Sequence, residues 1–273
     1  MFIPKLARLS LTLCLCSALT CVASDDKREA EFALNIEKNL TNGRVVWLQT
    51  QNKNFLSLYT EVATSTPDGI VILLHDMGGY PNQDKIIELL RNFFPEHHWS
   101  TLSIQMPLRE EGAKIEDYYS LFPEAKERLF AAIQFAKQQK AEKVVIIGYG
   151  LGGLMATSAL QEKSSNVNGI VTMSLSSSEV GEIYAQTLPF ISSLTMPMLD
   201  VYGELDSPDV VYSAKERKSI GRTRSKYRQI KLDNEGHLYL NDSGLLVKRI
   251  YSWVNRVISN KSQEIPRICS SKD

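Results

Sequence analysis

The sequence predicts an α/β fold: a mostly parallel sheet with an antiparallel hairpin at its N-terminal edge, helices on both faces and no large lid. Three observations lead there. Residues 70–74, 144–147 and 169–173 are short apolar runs rich in Val and Ile, the composition of strands buried on both faces. Amphipathic helical patterns separate these runs, and strand–helix alternation supplies the crossovers that parallel strands need. Ahead of them, residues 44–50 and 54–62 flank Gln51-Asn52-Lys53, and the second run alternates, with Leu56, Leu58, Thr60 and Val62 on one face, as a hairpin strand should.

The elements follow in order. Lys5 and Arg8 precede a mostly apolar, uncharged stretch at 9–22, and small residues stand at Ala23 and Ser24, so residues 1–24 read as a cleaved export signal. The expected location is the periplasm or the exterior. A lipid anchor on Cys21 is disfavoured because Ala-Leu-Thr precedes it. Cys14, Cys16 and Cys21 leave with the signal, which strands Cys269 without an internal partner. Residues 25–43 are polar with scattered Ala33, Leu34, Ile36 and Leu40, a short helix expected to dock loosely. Residues 44–260 form the main domain, and 261–273 a polar tail.

Within the domain, the strand at 70–74 ends in His75-Asp76-Met77-Gly78-Gly79, and Pro81-Asn82 is expected to open a helix striped by Ile86, Ile87, Leu90, Phe93 and Phe94. Residues 101–106 are a strand stopped by Pro107, and Pro123 begins another helix. Strands are expected at 197–202 and 227–232. Ser207-Pro208 opens the helix between them, and residues 245–258 form the last one. The insertion at 183–191 holds one small helix at most, too little to roof a crevice. With 31 basic and 31 acidic side chains the chain is formally neutral, which argues against a nucleic-acid partner.

The central feature is the turn after residues 144–147. Gly148, Gly150, Gly152 and Gly153 fall within six residues and lead into a helical pattern. Two sites are built this way. A nucleophile elbow, Gly-x-Ser-x-Gly, holds a serine exposed on a tight turn. A dinucleotide loop, Gly-x-Gly-x-x-Gly, brings backbone against a pyrophosphate. Gly148-Tyr149-Gly150-Leu151-Gly152 fits the elbow at both outer glycines but has Gly150 at the serine position. The dinucleotide reading wants the loop in the first strand–helix unit and an acidic residue closing the next strand. Here earlier strands precede the loop, and Ser174-Leu175-Ser176 closes the next one, with Glu179 farther on. No cofactor is expected.

In a parallel sheet, ligands bind at the carboxyl ends of the strands. That rim is expected to gather His75, Gly150, residues 174–178, Asp206 and His237. Asp206 and His237 each follow a predicted strand, and nucleophile–acid–histidine is the chain order of the α/β-hydrolases. In that chemistry the histidine takes the nucleophile's proton and the carboxylate fixes its tautomer. Gly150 cannot carry an acyl group, so Asp206 and His237 act only with water or a neighbouring serine, such as those at 174–178. His75, Asp76 and Gly78, with Gly79, stand where an oxyanion-hole loop would lie. Tyr149, Leu151 and Ser176 complete the binding candidates. His97-His98 has no carboxylate or cysteine set beside it, so no metal site is expected.

Several segments carry a resemblance: Trp47-Leu48, Phe55-Leu56-Ser57-Leu58-Tyr59, Leu74-His75-Asp76-Met77-Gly78-Gly79, Gly148-Tyr149-Gly150-Leu151-Gly152, Leu199-Asp200-Val201-Tyr202-Gly203 and Tyr227-Arg228-Gln229. The most specific is Trp99-Ser100-Thr101-Leu102-Ser103-Ile104-Gln105-Met106-Pro107. Over most of residues 44–257 the chain resembles uncharacterised bacterial envelope proteins of α/β-hydrolase fold, grouped as a domain of unknown function. The resemblance implies the fold and no activity. The resulting expectation is a non-catalytic envelope protein with a binding or structural role, its partner a small molecule or another envelope protein. The alternative is a weak ester or thioester hydrolase.

Overall fold

The computed structural model describes residues 24–62, 66–161, 166–177, 182–222 and 226–259. Nearly all of the expected signal segment, all four cysteines, Ser178, Glu179 and the expected C-terminal tail lie outside the described residues. The chain opens with helix α1 (Asp26–Asn39), capped by the Asp25 carboxylate on Arg28 N–H. Strands β1 (Arg44–Gln49) and β2 (Asn54–Thr60) pair antiparallel in the expected hairpin. Strand β3 (Gly69–Leu74), helix α2 (Ile86–Phe93) and strand β4 (Trp99–Ile104) follow. The short helix α3 (Ile115–Tyr118) leads into the long α4 (Phe122–Gln138). Strand β5 (Val144–Tyr149) passes directly into α5 (Leu151–Ala159), and β6 (Gly169–Met173) precedes the small α6 (Thr187–Ser193). Strand β7 (Met198–Leu205), α7 (Pro208–Gly221), β8 (Tyr227–Gly236) and α8 (Ser243–Trp253) complete the domain.

The eight strands form one sheet in the order β1-β2-β4-β3-β5-β6-β7-β8. Only β1–β2 and β2–β4 pair antiparallel; every pair from β4 onward is parallel. The period-two geometry of a strand divides the core in two. Ile70, Ile72 and Leu74 of β3 face the layer built on α4 and α5. Val71 and Leu73 face the layer with α2 and α8. All six residues of β3, β4 and β5 are buried, which suits the near-continuous apolar runs of β3 and β5, while β4 also buries Ser100, Thr101 and Ser103.

Several expected boundaries move. The helix anticipated at Pro81-Asn82 begins only at Ile86, because Lys85 takes a left-handed φ of 72° just ahead of it. Strand β4 starts two residues early at Trp99 and ends at Ile104. Ser207 precedes α7 as expected but makes no capping bond with its side chain. Helix α1 docks more closely than its polar sequence suggests. Buried Arg128 donates to both Glu29 oxygens, at 3.0 and 2.9 Å, and Arg28 reaches the Gly78 carbonyl at 3.2 Å. Phe32 also stacks on Tyr80 with ring centroids 4.7 Å apart. Among the described residues no helix is long and apolar enough to cross a membrane.

Candidate active site

Parallel order brings the carboxyl ends of β3, β5, β6, β7 and β8 to one rim, and the candidate residues lie just beyond them. Gly150 forms the turn between β5 and α5, with φ 51° and ψ −119°, a conformation that disfavours L side chains. A turn between strand and helix is also where the elbow motif places its central residue. Gly148 is needed as well: a Cβ there would press to 2.5 Å from the Gly153 Cα, where strand and helix cross.

His237 lies one residue past β8, and Asp206 one past β7. His237 Nδ1–H donates to Asp206 Oδ1 at 2.9 Å, the pairing expected from their order in the chain. Asp206 itself is buried. Its second oxygen accepts from Ser174 Oγ at 2.5 Å, and Ser207 N–H donates to its first at 2.8 Å. Burial pushes the Asp206 carboxyl up, but the bonds from His237, Ser174 and Ser207 outweigh it and hold the group below its ordinary value.

Asp76 holds the other side of the ring. His237 Nε2–H donates to Asp76 Oδ2 at 2.7 Å, and Leu151 N–H donates to Asp76 Oδ1 at 2.7 Å. Leu151 follows the elbow centre, the position whose N–H serves an oxyanion hole in hydrolases. The Asp76 carboxylate also fills the space beside Gly150. A Cβ built on Gly150 would overlap Oδ1, Cγ and Oδ2 of Asp76. Burial works against a charged His237, yet two carboxylate partners prevail and its pKa is pushed up to about 10. At neutral pH the ring is therefore an imidazolium donating from both nitrogens. It retains 36% side-chain exposure, so the cluster has a solvent edge.

The remaining candidates divide. Tyr149 joins the cluster: its hydroxyl donates to the His237 carbonyl at 2.8 Å and its ring stacks on the imidazole at 5.1 Å. His75 does not reach the rim. It is buried, and burial pushes its pKa down to about 4, so it is neutral. Its Nδ1–H donates to the Asp76 carbonyl at 2.7 Å, while Nε2 accepts from Met106 N–H at 2.9 Å. It thus fixes the loop that carries Asp76. Gly78 gives that loop a φ of 70°. The N–H of Gly79, anticipated as a free donor, is spent on the Asp76 carbonyl at 3.0 Å. Ser176 belongs elsewhere, its carbonyl accepting from Thr187 Oγ1 at 2.9 Å. Sequence reasoning missed Tyr239, a buried side chain whose hydroxyl lies 2.8 Å from Ser174 Oγ. A lone tyrosine after a histidine carries no signal of that contact. Among the described residues no group of three or more His, Cys, Asp or Glu is arranged to hold a metal.

Solved structures with this architecture are numerous. Est1E from Butyrivibrio proteoclasticus superposes with a TM-score of 0.64 at 12% identity, covering 79% of this chain and 99% of that one. Dienelactone hydrolase from Anabaena variabilis gives 0.64 at 16% identity, covering 79% and 97%. XC6422 from Xanthomonas campestris, described as a serine hydrolase without lid, gives 0.61 at 12% identity over 81% and 97%. At such identities the likeness establishes the α/β-hydrolase fold and nothing finer. A search of curated proteins finds no match to the sequence. The model of the family described as "Protein of unknown function (DUF3530)" matches residues 17–127 and 120–256, and the chain belongs to that family.

Proposed function

We propose that this chain is an exported α/β-hydrolase-fold protein that performs no serine-based acyl transfer and serves the cell envelope by binding or as a structural component. Export rests on the charged start and apolar stretch of residues 1–24. The single observation that carries the rest is the seat of Asp76. Gly150 stands where the fold's nucleophile would be, and the Asp76 carboxylate takes up the adjoining space, the Leu151 N–H and the His237 Nε2–H together.

Each loss matters to a different step. Without a side chain at Gly150 no acyl-enzyme forms, and loss of a triad nucleophile costs several powers of ten. With Leu151 N–H already bonded, a substrate oxyanion has lost a donor. With both ring nitrogens protonated, His237 has no lone pair to accept a proton from water or serine. The water-based alternative therefore gains no support. The serine alternative fares no better at Ser174, whose hydroxyl is committed to Asp206.

The test is hydrolysis of p-nitrophenyl esters and an acyl thioester by residues 25–273, beside the His237→Ala variant. Equal background rates are expected in both. Turnover by the parent chain that disappears in the variant would overturn the proposal.

A further inference from the structure

A cleft of about 180 Å³ opens between α1 and the β1–β2 hairpin, lined by Asp26, Glu29, Trp47, Lys53, Phe55 and Gln105 among others. Three features of it point to one ligand chemistry. The first is an acceptor without a donor. Gln105 is 1% exposed, its Nε2 is turned to the Met106 carbonyl at 2.8 Å and to His75 Nε2 at 3.0 Å, and its buried Oε1 has no partner. A buried acceptor in that state costs about 1–3 kcal/mol until a donor meets it.

The second feature is charge. The carboxylates of Asp26, Glu29 and Glu124 gather around two cations, Lys53 and Arg128, so one negative charge is in excess. Burial raises the Glu29 carboxyl despite both cations. The third feature is the wall. Phe55 and Leu56 are buried beside Trp47, which is 50% exposed, and aromatic faces attract organic cations. The volume is below the roughly 300–1,000 Å³ of pockets for drug-sized ligands.

We propose that this cleft binds a small primary amine in its ammonium form, the N–H groups meeting Gln105 Oε1 and the acidic side while a short alkyl body lies against Trp47 and Phe55. No residue of the Asp76–His237–Asp206 cluster lines the cleft, and Gln105 reaches that cluster only through His75. Failure of the proposal would leave the reading of that cluster untouched.

The chain contains its own reporter. Of its three tryptophans only Trp47 is exposed, while Trp99 and Trp253 are 0% and 2% exposed. Acrylamide quenching of tryptophan fluorescence in residues 25–273 therefore reads Trp47. Titration with n-butylammonium chloride is expected to protect Trp47 saturably, with 1-butanol at least about fivefold weaker and butyrate without effect. Asp26→Asn, at an exposed position, is expected to weaken the ammonium effect several-fold. Gln105→Leu should abolish it, with circular dichroism checking that this buried change leaves the fold intact. Absence of protection by the ammonium overturns the proposal. So does equal protection by butanol, which would mean that apolar contact alone fills the cleft.

Discussion

Two ionic clusters tie β7 to its neighbours, and they differ in one respect. Asp200 lies inside the sheet, and its Oδ2 accepts from Arg217 Nε at 2.9 Å, Tyr227 OH at 2.7 Å and Gln229 Nε2 at 2.9 Å. Both partners of its ion pair have no exposed side-chain surface. Asp206, six residues on, is equally buried, but its cation is His237, which keeps 36% of its side chain in solvent. The sealed pair uses a guanidinium that does not titrate; the open one uses a ring that does. This contrast gives Asp206 and His237 a structural part that needs no nucleophile beside them. Between two carboxylates, His237 joins the loops after β3, β7 and β8, as Arg217 joins α7 to β7.

Removing a cation should expose the contrast most sharply at the sealed site. Arg217→Ala leaves Asp200 charged, buried and short of its partner, and breaking such a pair costs about 3–5 kcal/mol. Urea unfolding should show a midpoint lowered accordingly with little change in slope. A loss under about 1 kcal/mol would mean that Tyr227 and Gln229 alone satisfy Asp200, and the comparison would collapse.

Filling the elbow comes next. Gly150→Ser places a Cβ on the Asp76 carboxylate and an L side chain at φ 51°, so a cost of about 1–3 kcal/mol is expected. Adding Asp76→Ala removes the obstruction and frees Leu151 N–H and His237 Nε2 for the new hydroxyl. The two changes should therefore be strongly non-additive. The introduced serine should react with a fluorophosphonate at least about 100-fold faster in the double variant than in Gly150→Ser alone, and the parent chain not at all. Equal labelling of both variants would show that Asp76 does not close the site.

What the sequence disclosed, and what it withheld, follows the same division. The central strands were legible because apolar runs report burial directly, and Asp206 and His237 because each falls just past an expected strand. The gap beside Gly150 was legible too, since glycine has no side chain to fill it. What fills the gap was not. Asp76 stood among the oxyanion-loop candidates, but its place beside Gly150 depends on the path of residues 75–79. That path is set by buried His75, Gly78 at positive φ and Arg28 from α1, contacts separated by up to 50 residues. His75 and Asp76 are neighbours in sequence with opposite fates, one neutral in the core and the other at the rim. No pattern of residue types distinguishes them.

The smallest expected effect is the one that separates the clusters by their titration. His237→Ala should cost about 1–2 kcal/mol at pH 7, well below the sealed pair because solvent screens the exposed ring. Its pKa rises from about 6.5 in an unfolded chain to about 10 when folded. A raised pKa stabilises the fold fully below the unfolded value, and that contribution drains away as pH climbs through the folded one. Asp206, held below its ordinary value, works in the other direction, its contribution present above about 3.8 and lost as pH falls through its lower folded pKa. The stability gap between parent and His237→Ala should thus be widest near pH 5–6.5 and narrow steadily toward pH 10. The gap for Arg217→Ala should hold level over that range, because a guanidinium keeps its charge throughout. Parallel gaps for both variants would mean that the imidazolium is not what holds the rim, and that hydrogen bonds to a neutral ring suffice.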